Sequence, residues 1–370
     1  MIRISDTSLC SGCSACYAVC PKGAVSMKSD RLGFMYPEVD SDLCVSCGLC
    51  IKVCPYESEY EGYSYDEVYA AVNKNESVRA GSSSAGVFTE IASKVIEYDG
   101  VVYGAAFSGT GSDSVEHIAA TDIESLEKLN GSKYLQSDMR DVFCQVRDLL
   151  DSGRMVLFSG TPCQVAGLNR FIGQRNDRLI TVACACHGVP SPEVWRRYYH
   201  EMRGDSDQVS FRDKSHGWKD YMIRIGDYSC KAFSDPYMRA MIKGITLRPS
   251  CLTCRFKGKD IGCDMILGDW WSIGRIEPEM DDDKGTSAVL VFSEQGRRLM
   301  QGDGLVLKTM PRLDDAGNAG FNPKSFKSFD QNTLVDRMED DGSIYQVLKR
   351  MTDATLCEKV VRRVKRMFKK

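Results

Sequence analysis

Two cysteine-rich stretches near the amino terminus decide how this chain folds. The first reads Cys10-Ser-Gly-Cys13-Ser-Ala-Cys16-Tyr-Ala-Val-Cys20-Pro21. The second, 34 residues further on, reads Cys44-Val-Ser-Cys47-Gly-Leu-Cys50-Ile-Lys-Val-Cys54-Pro55. Both follow the pattern C-x2-C-x2-C-x3-C-P, which is typical of 4Fe-4S ligation. The repeat therefore predicts two 4Fe-4S clusters bound by the start of the chain.

The spacing also predicts which cysteines share a cluster. The first three cysteines of a run hold one cluster, and the fourth lies too far along the chain and ligates the other. Cluster one is assigned Cys10, Cys13, Cys16 and Cys54, and cluster two Cys44, Cys47, Cys50 and Cys20. Zinc also accepts paired cysteines, but it predicts single sets of four rather than two identical runs. The module resembles a bacterial two-cluster ferredoxin domain, an α+β unit that we assign to residues 1–60.

Composition favours metal ligation over disulfide bonds. The chain has 370 residues and 17 cysteines, an odd number in a long chain without a signal-peptide pattern at its start. Its net charge of −3 gives no general attraction to nucleic acid. No apolar run approaches the ~20 residues of a membrane-spanning helix. We therefore expect a cytoplasmic protein of about two domains.

From about residue 65 the sequence alternates predicted helices and strands. Apolar residues at helical spacing predict helices, and short continuous apolar runs predict buried strands. The helices are expected over residues 85–98, 139–150, 162–171 and 192–202, and the strands over residues 101–107, 155–158 and 179–183. This alternation predicts an α/β domain with a largely parallel sheet, which we assign to residues 61–330. A helical basic tail is expected over residues 331–370.

A loop of small residues opens the first of these helices. Residues 79–88 read Arg-Ala-Gly-Ser-Ser-Ser-Ala-Gly-Val-Phe, which would let a phosphate approach the backbone at a helix amino terminus. The alternative is a serine-capped helix after a flexible turn. Val87 and Phe88 stand where a P-loop has Lys and Ser or Thr, which argues against nucleoside triphosphate hydrolysis. No G-x-G-x-x-G occurs, so a standard dinucleotide-binding turn is not supported.

Four later cysteines predict a third 4Fe-4S cluster. Cys163 falls in the first turn of a predicted helix, a position that lowers a thiol pKa. Cys186 follows a predicted strand whose carboxyl end lies at the same edge of the sheet. A C-x2-C pair completes the set, which is Cys163, Cys186, Cys251 and Cys254. Cys184 and Cys263 compete for these places, and an unoccupied pair or a redox dithiol is the alternative.

Six motifs occur in the order found in one protein family. They are Ser82-Ser-Ser-Ala-Gly86-Val-Phe, Gly131-Ser-Lys133-Tyr134-Leu-Gln136-Ser137, Ser159-Gly-Thr-Pro-Cys163-Gln, Cys186-His-Gly-Val-Pro-Ser191, Cys251-x2-Cys254 and Gly268-Asp269-Trp270. With the cluster runs, they resemble the coenzyme F-420 hydrogenase/dehydrogenase beta-subunit family with an amino-terminal dicluster ferredoxin domain. The likeness covers roughly residues 5–300 and departs at Ala85 and Trp271, where glycine is usual.

The resemblance implies an FAD-dependent iron–sulfur oxidoreductase. Such a protein passes electrons between a hydride-carrying coenzyme, either reduced deazaflavin F-420 or NAD(P)H, and a partner by way of FAD and 4Fe-4S clusters. By motif position the FAD site comprises Ser82, Ser83, Ser84, Gly86, Lys133, Tyr134, Gln136 and Thr161. His187 is the candidate proton shuttle, and Lys133 is the candidate cation for an anionic coenzyme or flavin oxygen. A structural histidine and a solvated lysine are the alternatives.

Two other functions fit the sequence. One is an electron-transfer subunit of a larger redox complex whose catalytic chemistry lies on another chain. The other is a binding protein that keeps its clusters only as structure. The expected partners are a redox partner protein or small electron carrier and the hydride-carrying coenzyme, without nucleic acid.

The last residues have a pattern of their own. Residues 356–370 contain seven Lys or Arg and one Glu, and apolar residues recur every four positions at Leu356, Val360, Val364 and Phe368. This pattern predicts a basic amphipathic helix. Such a helix fits peripheral contact with an anionic membrane or docking of a partner, and an exposed frayed terminus is the alternative.

Overall fold

Helices and strands alternate through most of the chain. The computed structural model describes residues 1–313, 316–318, 320–322, 326 and 329–353. The helices within this part are α1 Ala15–Ala18, α2 Leu49–Lys52, α3 Glu76–Gly81, α4 Val87–Glu97, α5 Ile123–Glu127, α6 Val142–Asp151, α7 Pro162–Ile172, α8 Pro192–Met202, α9 Pro236–Ile242, α10 Pro249–Leu252, α11 Glu294–Met300, α12 Gln331–Asp340 and α13 Ile344–Thr352. The strands are β1 Val25–Ser29, β2 Met35–Val39, β3 Glu67–Asn73, β4 Val101–Ser108, β5 Ser114–Ala120, β6 Val156–Gly160, β7 Leu179–Cys184, β8 Val209–Asp213, β9 Met222–Ile225, β10 Tyr228–Lys231, β11 Met265–Asp269, β12 Ser287–Val291 and β13 Leu305–Thr309.

The amino-terminal module is a small α+β unit. β1 and β2 form an antiparallel hairpin in which Val25 pairs with Val39. The short helices α1 and α2 each follow one cysteine loop and contact one another. Cys16, Cys50 and Val25 are buried together in the core of this unit. The structure therefore has the ferredoxin-like domain that the cysteine runs predict.

An eight-stranded mixed sheet forms the centre of the molecule. Its strand order is β13-β3-β12-β11-β7-β6-β4-β5. The central strands β4, β6, β7 and β11 are parallel to their neighbours in this group, whereas β5, β12, β3 and β13 pair antiparallel. The prediction of a largely parallel sheet is therefore correct only for the four central strands. At the β5 edge the reason is the short turn after β4, because a tight turn joins only antiparallel strands.

Helices cover both faces of this sheet. On one face α4 buries Val87, Ile91 and Val95 among apolar residues of the strands. On the other face lie α6 and α7, and there Cys13 of the amino-terminal module shares one core with Val165 of α7. The module is thus packed into the larger domain. A Cβ added at Gly167 would lie 2.8 Å from the Cys13 sulfur, so α7 approaches the first cysteine loop at a point that only glycine permits.

A second core lies beside the sheet. The three-stranded sheet β10-β9-β8 packs with α8, α9, α12 and α13 around the buried side chains Trp195, Tyr237 and Leu348. Residues 331–353, predicted as the start of a tail, form α12 and α13 and contribute to this core. The amphipathic pattern over residues 356–368 lies outside the described residues. Within the described part, no helix has the length and apolar character needed to cross a membrane.

Most predicted elements of the larger domain are confirmed. The helix predicted over residues 192–202 has these bounds in the structure, and the other predicted helices and strands shift by up to three residues at an end. β5 was not predicted. Its sequence Ser-Val-Glu-His-Ile-Ala-Ala alternates in burial, because it lies at the sheet edge instead of in the apolar centre.

The buried face of α4 supplies a test of the fold. Ile91 is fully buried, whereas Ile123 on the adjacent α5 is 53 % exposed. We expect Ile91→Ala to lower the free energy of unfolding by about 2–5 kcal/mol, because it leaves a cavity in a packed core. Ile123→Ala should change it by no more than about 0.5 kcal/mol. Anaerobic urea unfolding measures both, and equal effects would contradict the packing described here.

Candidate functional site

Two cavities in the amino-terminal module are lined by cysteines. One is lined by Cys10, Cys13, Cys16 and Cys54. The other is lined by Cys20, Cys44, Cys47 and Cys50. Each cavity thus collects three cysteines of one run and the last cysteine of the other run. This is the crossed grouping that the spacing predicts for two 4Fe-4S clusters.

The backbone of each cysteine loop is bent in the same way. Gly12 and Ser14 in the first loop have φ values of +68° and +66°, and Ser46 and Gly48 in the second have +53° and +79°. Left-handed residues at these points curl the loop around its cavity. A side chain at Gly12 would also be blocked, because its Cβ would lie 2.5 Å from Nε2 of Gln136.

The four thiols of each set line a cavity. Sulfur ligands arranged around such a space suit a 4Fe-4S cubane. Burial raises the pKa of Cys16 to about 12, so this thiol is protonated at neutral pH until iron displaces the proton.

A third group of cysteines lies where the module meets the sheet. Cys163 is in the first turn of α7 and Cys186 follows β7. Burial raises the pKa of Cys186 well above its usual value, and the neighbouring thiols of Cys184, Cys251 and Cys163 add to the effect, in that order. Burial likewise raises the pKa of Cys163, with Cys254 as the largest charged neighbour. The structure therefore brings together the four cysteines predicted for a third cluster.

One expectation for this group is wrong. The helix amino terminus was expected to lower the pKa of Cys163, but burial raises it to about 12. Burial and the nearby thiols of Cys254 and Cys251 outweigh the 3.2 Å contact with Oγ1 of Thr161 and the positive charge of Arg248, both of which lower the pKa. Of the two competing cysteines, Cys184 stays near Cys186 and is its largest charged neighbour. Cys184 lines the crevice described next, and Cys263 is buried beside Asp264.

A crevice of about 330 Å³ opens at the carboxyl ends of β6, β7 and β11. This edge of a parallel sheet is where α/β proteins bind ligands. Most residues predicted for the flavin site line it: Ser82, Ser83, Ser84, Gly86, Lys133, Tyr134 and Thr161. Cys186 and His187 also line it. The crevice therefore adjoins the third group of cysteines.

The serine loop forms one wall of the crevice. The Ser82 hydroxyl donates to the carbonyl of Val78 at 2.7 Å, and the Ser83 hydroxyl accepts from the amide of Ser132 at 2.6 Å. These two hydroxyls therefore form hydrogen bonds within the protein that fix the conformation of the loop. Gly86 begins α4 with φ of +79°, and no side chain caps this helix. The first-turn N–H groups of α4 are thus not used by a capping side chain.

Gln136 does not line the crevice. Its Nε2 donates to the carbonyl of Ser11 at 3.5 Å, and its Oε1 accepts from Arg248 at 2.8 Å. Its neighbours Leu135 and Ser137 line the crevice, but the side chain of Gln136 points to the cluster-one loop. The structure therefore places Gln136 at the iron–sulfur module, contrary to its prediction as a flavin-site residue.

Lys133 is not the solvated lysine of the alternative interpretation. Its Nζ is half-buried and donates to the carbonyls of Asn130 at 2.7 Å and Lys128 at 3.1 Å. Loss of solvent around the ammonium group lowers its pKa to about 7. Lys133 therefore changes charge near neutral pH.

His187 is half-buried at the end of the crevice nearest Cys186. Its ring lies edge-on to Phe326 with centroids 5.0 Å apart, and its carbonyl accepts from Nζ of Lys257. The ring stands at the junction of the crevice with the cysteine group, as its sequence position beside Cys186 predicts.

Two residues of the crevice were missed in the sequence. His117 on β5 bonds the carbonyl of Ser159 at 3.0 Å, and burial lowers its pKa to about 4, so it is neutral at pH 7. Arg212 on β8 pairs with Asp269 at 2.7 Å, and its side chain is 4 % exposed. Its guanidinium lies 4.8 Å from the ring of Trp271. Neither residue lies in a local motif. His117 reaches the site through the pairing of β5 with β4, and Arg212 reaches it through its ion pair with Asp269 of β11.

A second cavity of about 610 Å³ adjoins the crevice. The two share Ser82, Ser83, Asn130, Gly131, Ser132 and Arg212. Cationic side chains line the 610 Å³ cavity, and each of them bonds a carboxylate or carbonyl oxygen. Arg79 pairs with Asp282, and Nζ of Lys214 donates to three carbonyl oxygens.

The cysteine groups and the crevice form a continuous line. Cys50, in the cavity of cluster two, is near enough to raise the pKa of Cys16 in the cavity of cluster one, although burial is the larger cause. Cys163 of the third group likewise raises the pKa of Cys13 in the cavity of cluster one, where burial is again the larger cause. Cys186 of the third group lines the crevice. Each group of cysteines is thus next to the following one.

Two segments of the chain match known protein domains. Residues 153–309 match the carboxyl-terminal domain of the coenzyme F420 hydrogenase/dehydrogenase beta subunit. Residues 9–58 match the 4Fe-4S dicluster domain. No curated protein is a detectable relative. A similar solved structure is a xenon derivative of the F420-reducing nickel–iron hydrogenase complex from Methanosarcina barkeri, with 16 % identity, a TM-score of 0.49, and coverage of 75 % of this chain and 94 % of that chain.

The two matched domains occupy successive parts of the chain, and their order agrees with the cysteine runs and the six motifs. The first domain supplies the two four-cysteine cavities. The second contributes Cys163, Cys186 and the adjacent crevice wall. The chain therefore combines an amino-terminal 4Fe-4S dicluster domain with a domain that matches the carboxyl terminus of the coenzyme F420 hydrogenase/dehydrogenase beta subunit, the architecture of an iron–sulfur electron-transfer protein.

Proposed function

We propose that this chain is an FAD-dependent iron–sulfur oxidoreductase that exchanges electrons between a hydride-carrying coenzyme and a redox partner. The observation that carries the proposal is the line of three four-cysteine groups ending at a ligand-sized crevice. A cluster is useful for electron transfer only when its neighbour is close, and here thiols of one group are near enough to raise the pKa of thiols in the adjacent group. Reduced deazaflavin F-420 and NAD(P)H are the two coenzyme classes to test.

The crevice suits the ring system of a flavin. It is lined by small residues of the 82–86 loop and by apolar residues of β7 and β11. The uncapped amino terminus of α4 offers backbone N–H donors to an anionic group. The larger, cation-bordered second cavity has room for the phosphate-bearing part of a bound coenzyme. When bound, a flavin joins two-electron hydride chemistry to one-electron cluster chemistry.

The side chains around the crevice have separate roles in this proposal. Lys133, with a pKa of about 7, supplies a positive charge or a proton at Nζ. His117 is neutral because burial lowers its pKa to about 4, so it does not oppose the charge of Lys133. His187 stands between the crevice and Cys186 and would hold a proton there. Arg212, fixed by Asp269, orients the wall between the two cavities.

We assign the third cluster to Cys163, Cys186, Cys251 and Cys254. The charges of Cys254 and Cys251 act on Cys163, and those of Cys251 and Cys163 act on Cys186. The far end of the line, at cluster two, is the expected contact for a redox partner. There Cys47 is exposed, and Leu43 and Val45 are 52 % and 60 % exposed. Apolar side chains around a cofactor near the surface are typical of sites where electron carriers dock.

The first prediction concerns cofactor content. Anaerobically purified protein should contain about one FAD and about 12 irons per chain, from the four-iron stoichiometry of three cubanes. Acid extraction with chromatography identifies the flavin, and iron analysis counts the metal. Absence of FAD would overturn the proposal. FAD without turnover by either coenzyme, assayed with a dye acceptor, would favour the alternative of an electron-transfer subunit whose chemistry lies on another chain.

The second prediction separates two neighbouring cysteines. Cys186→Ser should lose about four irons per chain, because one thiolate ligand of the third cluster is removed. The dicluster and the flavin should remain. Cys184→Ser is the matched control, since Cys184 is two residues away, and it should keep the full iron content. The reverse pattern, with iron lost only from Cys184→Ser, would show that the third ligand set is assigned incorrectly.

The third prediction concerns Lys133. Its ammonium group is charged below its pKa of about 7 and neutral above it. If it holds an anionic flavin group, the affinity of flavin-stripped protein for FAD should fall as pH rises through 7 to 9. Lys133→Met should bind FAD more weakly at pH 6 and show a flatter profile. Lys128→Met, a lysine in the same loop, is the control. A wild-type profile that Lys133→Met leaves unchanged would exclude this role.

A further inference from the structure

Arg248 is a buried cation that neither the fold nor the crevice explains. It begins the turn into α10, three residues before Cys251. The whole residue is fully buried, with 0 % of its surface exposed. Burying a guanidinium removes the water that stabilises its charge, so the protein must supply partners or an opposite charge.

The side chain of Arg248 reaches the loop of cluster one. Its Nε donates to the carbonyl of Cys10 at 2.7 Å, and its Nη2 donates to the carbonyl of Met35 at 2.9 Å. Nη2 also lies 3.6 Å from the sulfur of Cys10. Nη1 donates to Oε1 of Gln136 at 2.8 Å. The guanidinium is thus held in one orientation against a predicted cluster ligand.

These partners do not neutralise the charge. They are two backbone carbonyls, one amide oxygen and one thiol, and none is a carboxylate. The rings of Tyr36 and Phe34, at 4.2 Å and 5.4 Å from the guanidinium carbon, add a weaker attraction. A 4Fe-4S cluster with four thiolates carries net negative charge, and one beside Cys10 would supply the missing counter-charge.

Arg248 also faces the third cysteine group. Burial raises the pKa of Cys251, and the positive charge of Arg248 acts in the opposite direction. The same opposition acts on Cys163, where burial again dominates. Arg248 therefore lies between two neighbouring cluster sites, with its hydrogen bonds directed to the first of them.

We infer that Arg248 is a positioning residue that raises the reduction potential of cluster one by holding a fixed positive charge against Cys10. The inference rests on the proposed function, because it requires a cluster at Cys10. Reduction adds one negative charge to a cluster, and a nearby buried cation stabilises the reduced form more than the oxidised form. Gln136 and the Cys10 and Met35 carbonyls hold the cation in place.

Redox titration monitored by electron paramagnetic resonance tests this role in the full, anaerobically purified chain. In Arg248→Gln the midpoint potential of one cluster should become more negative while those of the others stay nearly unchanged. Arg248→Lys keeps the charge but loses the fork of hydrogen bonds, so it should shift the same midpoint less. Arg239→Gln is the matched control, because Arg239 bonds Asp353 on α13, and its midpoints should equal those of the wild type.

The outcomes separate this inference from the proposed function. Unchanged midpoints in an iron-replete Arg248→Gln variant would overturn the role of Arg248 alone. If Arg248→Gln fails to hold its clusters, Arg248→Lys decides. A selective shift of one midpoint in that variant supports the role, and wild-type midpoints overturn it. A wild-type chain without iron would instead contradict the proposed function.

Discussion

The structure depends on the close contact between the first cysteine loop and the larger domain. Gly167 of α7 leaves room for the sulfur of Cys13, and Gly12 leaves room for Gln136 and Arg248. A side chain at Gly167 would collide with Cys13, and one at Gly12 would collide with Gln136 and Arg248. Either collision would push the loop of cluster one away from the larger domain. Packing at this junction therefore determines whether the cysteine groups form one line.

Burial has a consistent electrostatic effect along this line. It raises the pKa of the thiols of Cys13, Cys16 and Cys163, so the chain without iron carries neutral thiols in an apolar setting. Cluster binding replaces these protons with metal and places negative charge in the same setting. A buried cation such as Arg248 offsets that charge. The same burial shields the thiols between neighbouring cluster sites from solvent.

The sequence predicts the local parts of this site better than its assembly. The spacing of the cysteine runs predicts the crossed lining of the two cavities, and apolar periodicity predicts the α/β order of the larger domain. The antiparallel flanks of the sheet were missed because strand direction depends on pairing between distant segments. Arg212, His117 and Arg248 were missed for a related reason, since none lies in a motif. Gln136 was misplaced because the residues on both sides of it line the crevice, whereas its own side chain bonds Arg248 and Ser11.

The central claim is that three clusters and a flavin share one conducting line in this chain. Anaerobic reductive titration with dithionite, followed by visible absorption, tests it most directly. The account predicts that about five electrons per chain are taken up, one for each of three clusters and two for the flavin. It also predicts that the iron–sulfur and flavin absorption bands both bleach. Uptake of only about two electrons, as expected for the dicluster alone, would contradict it.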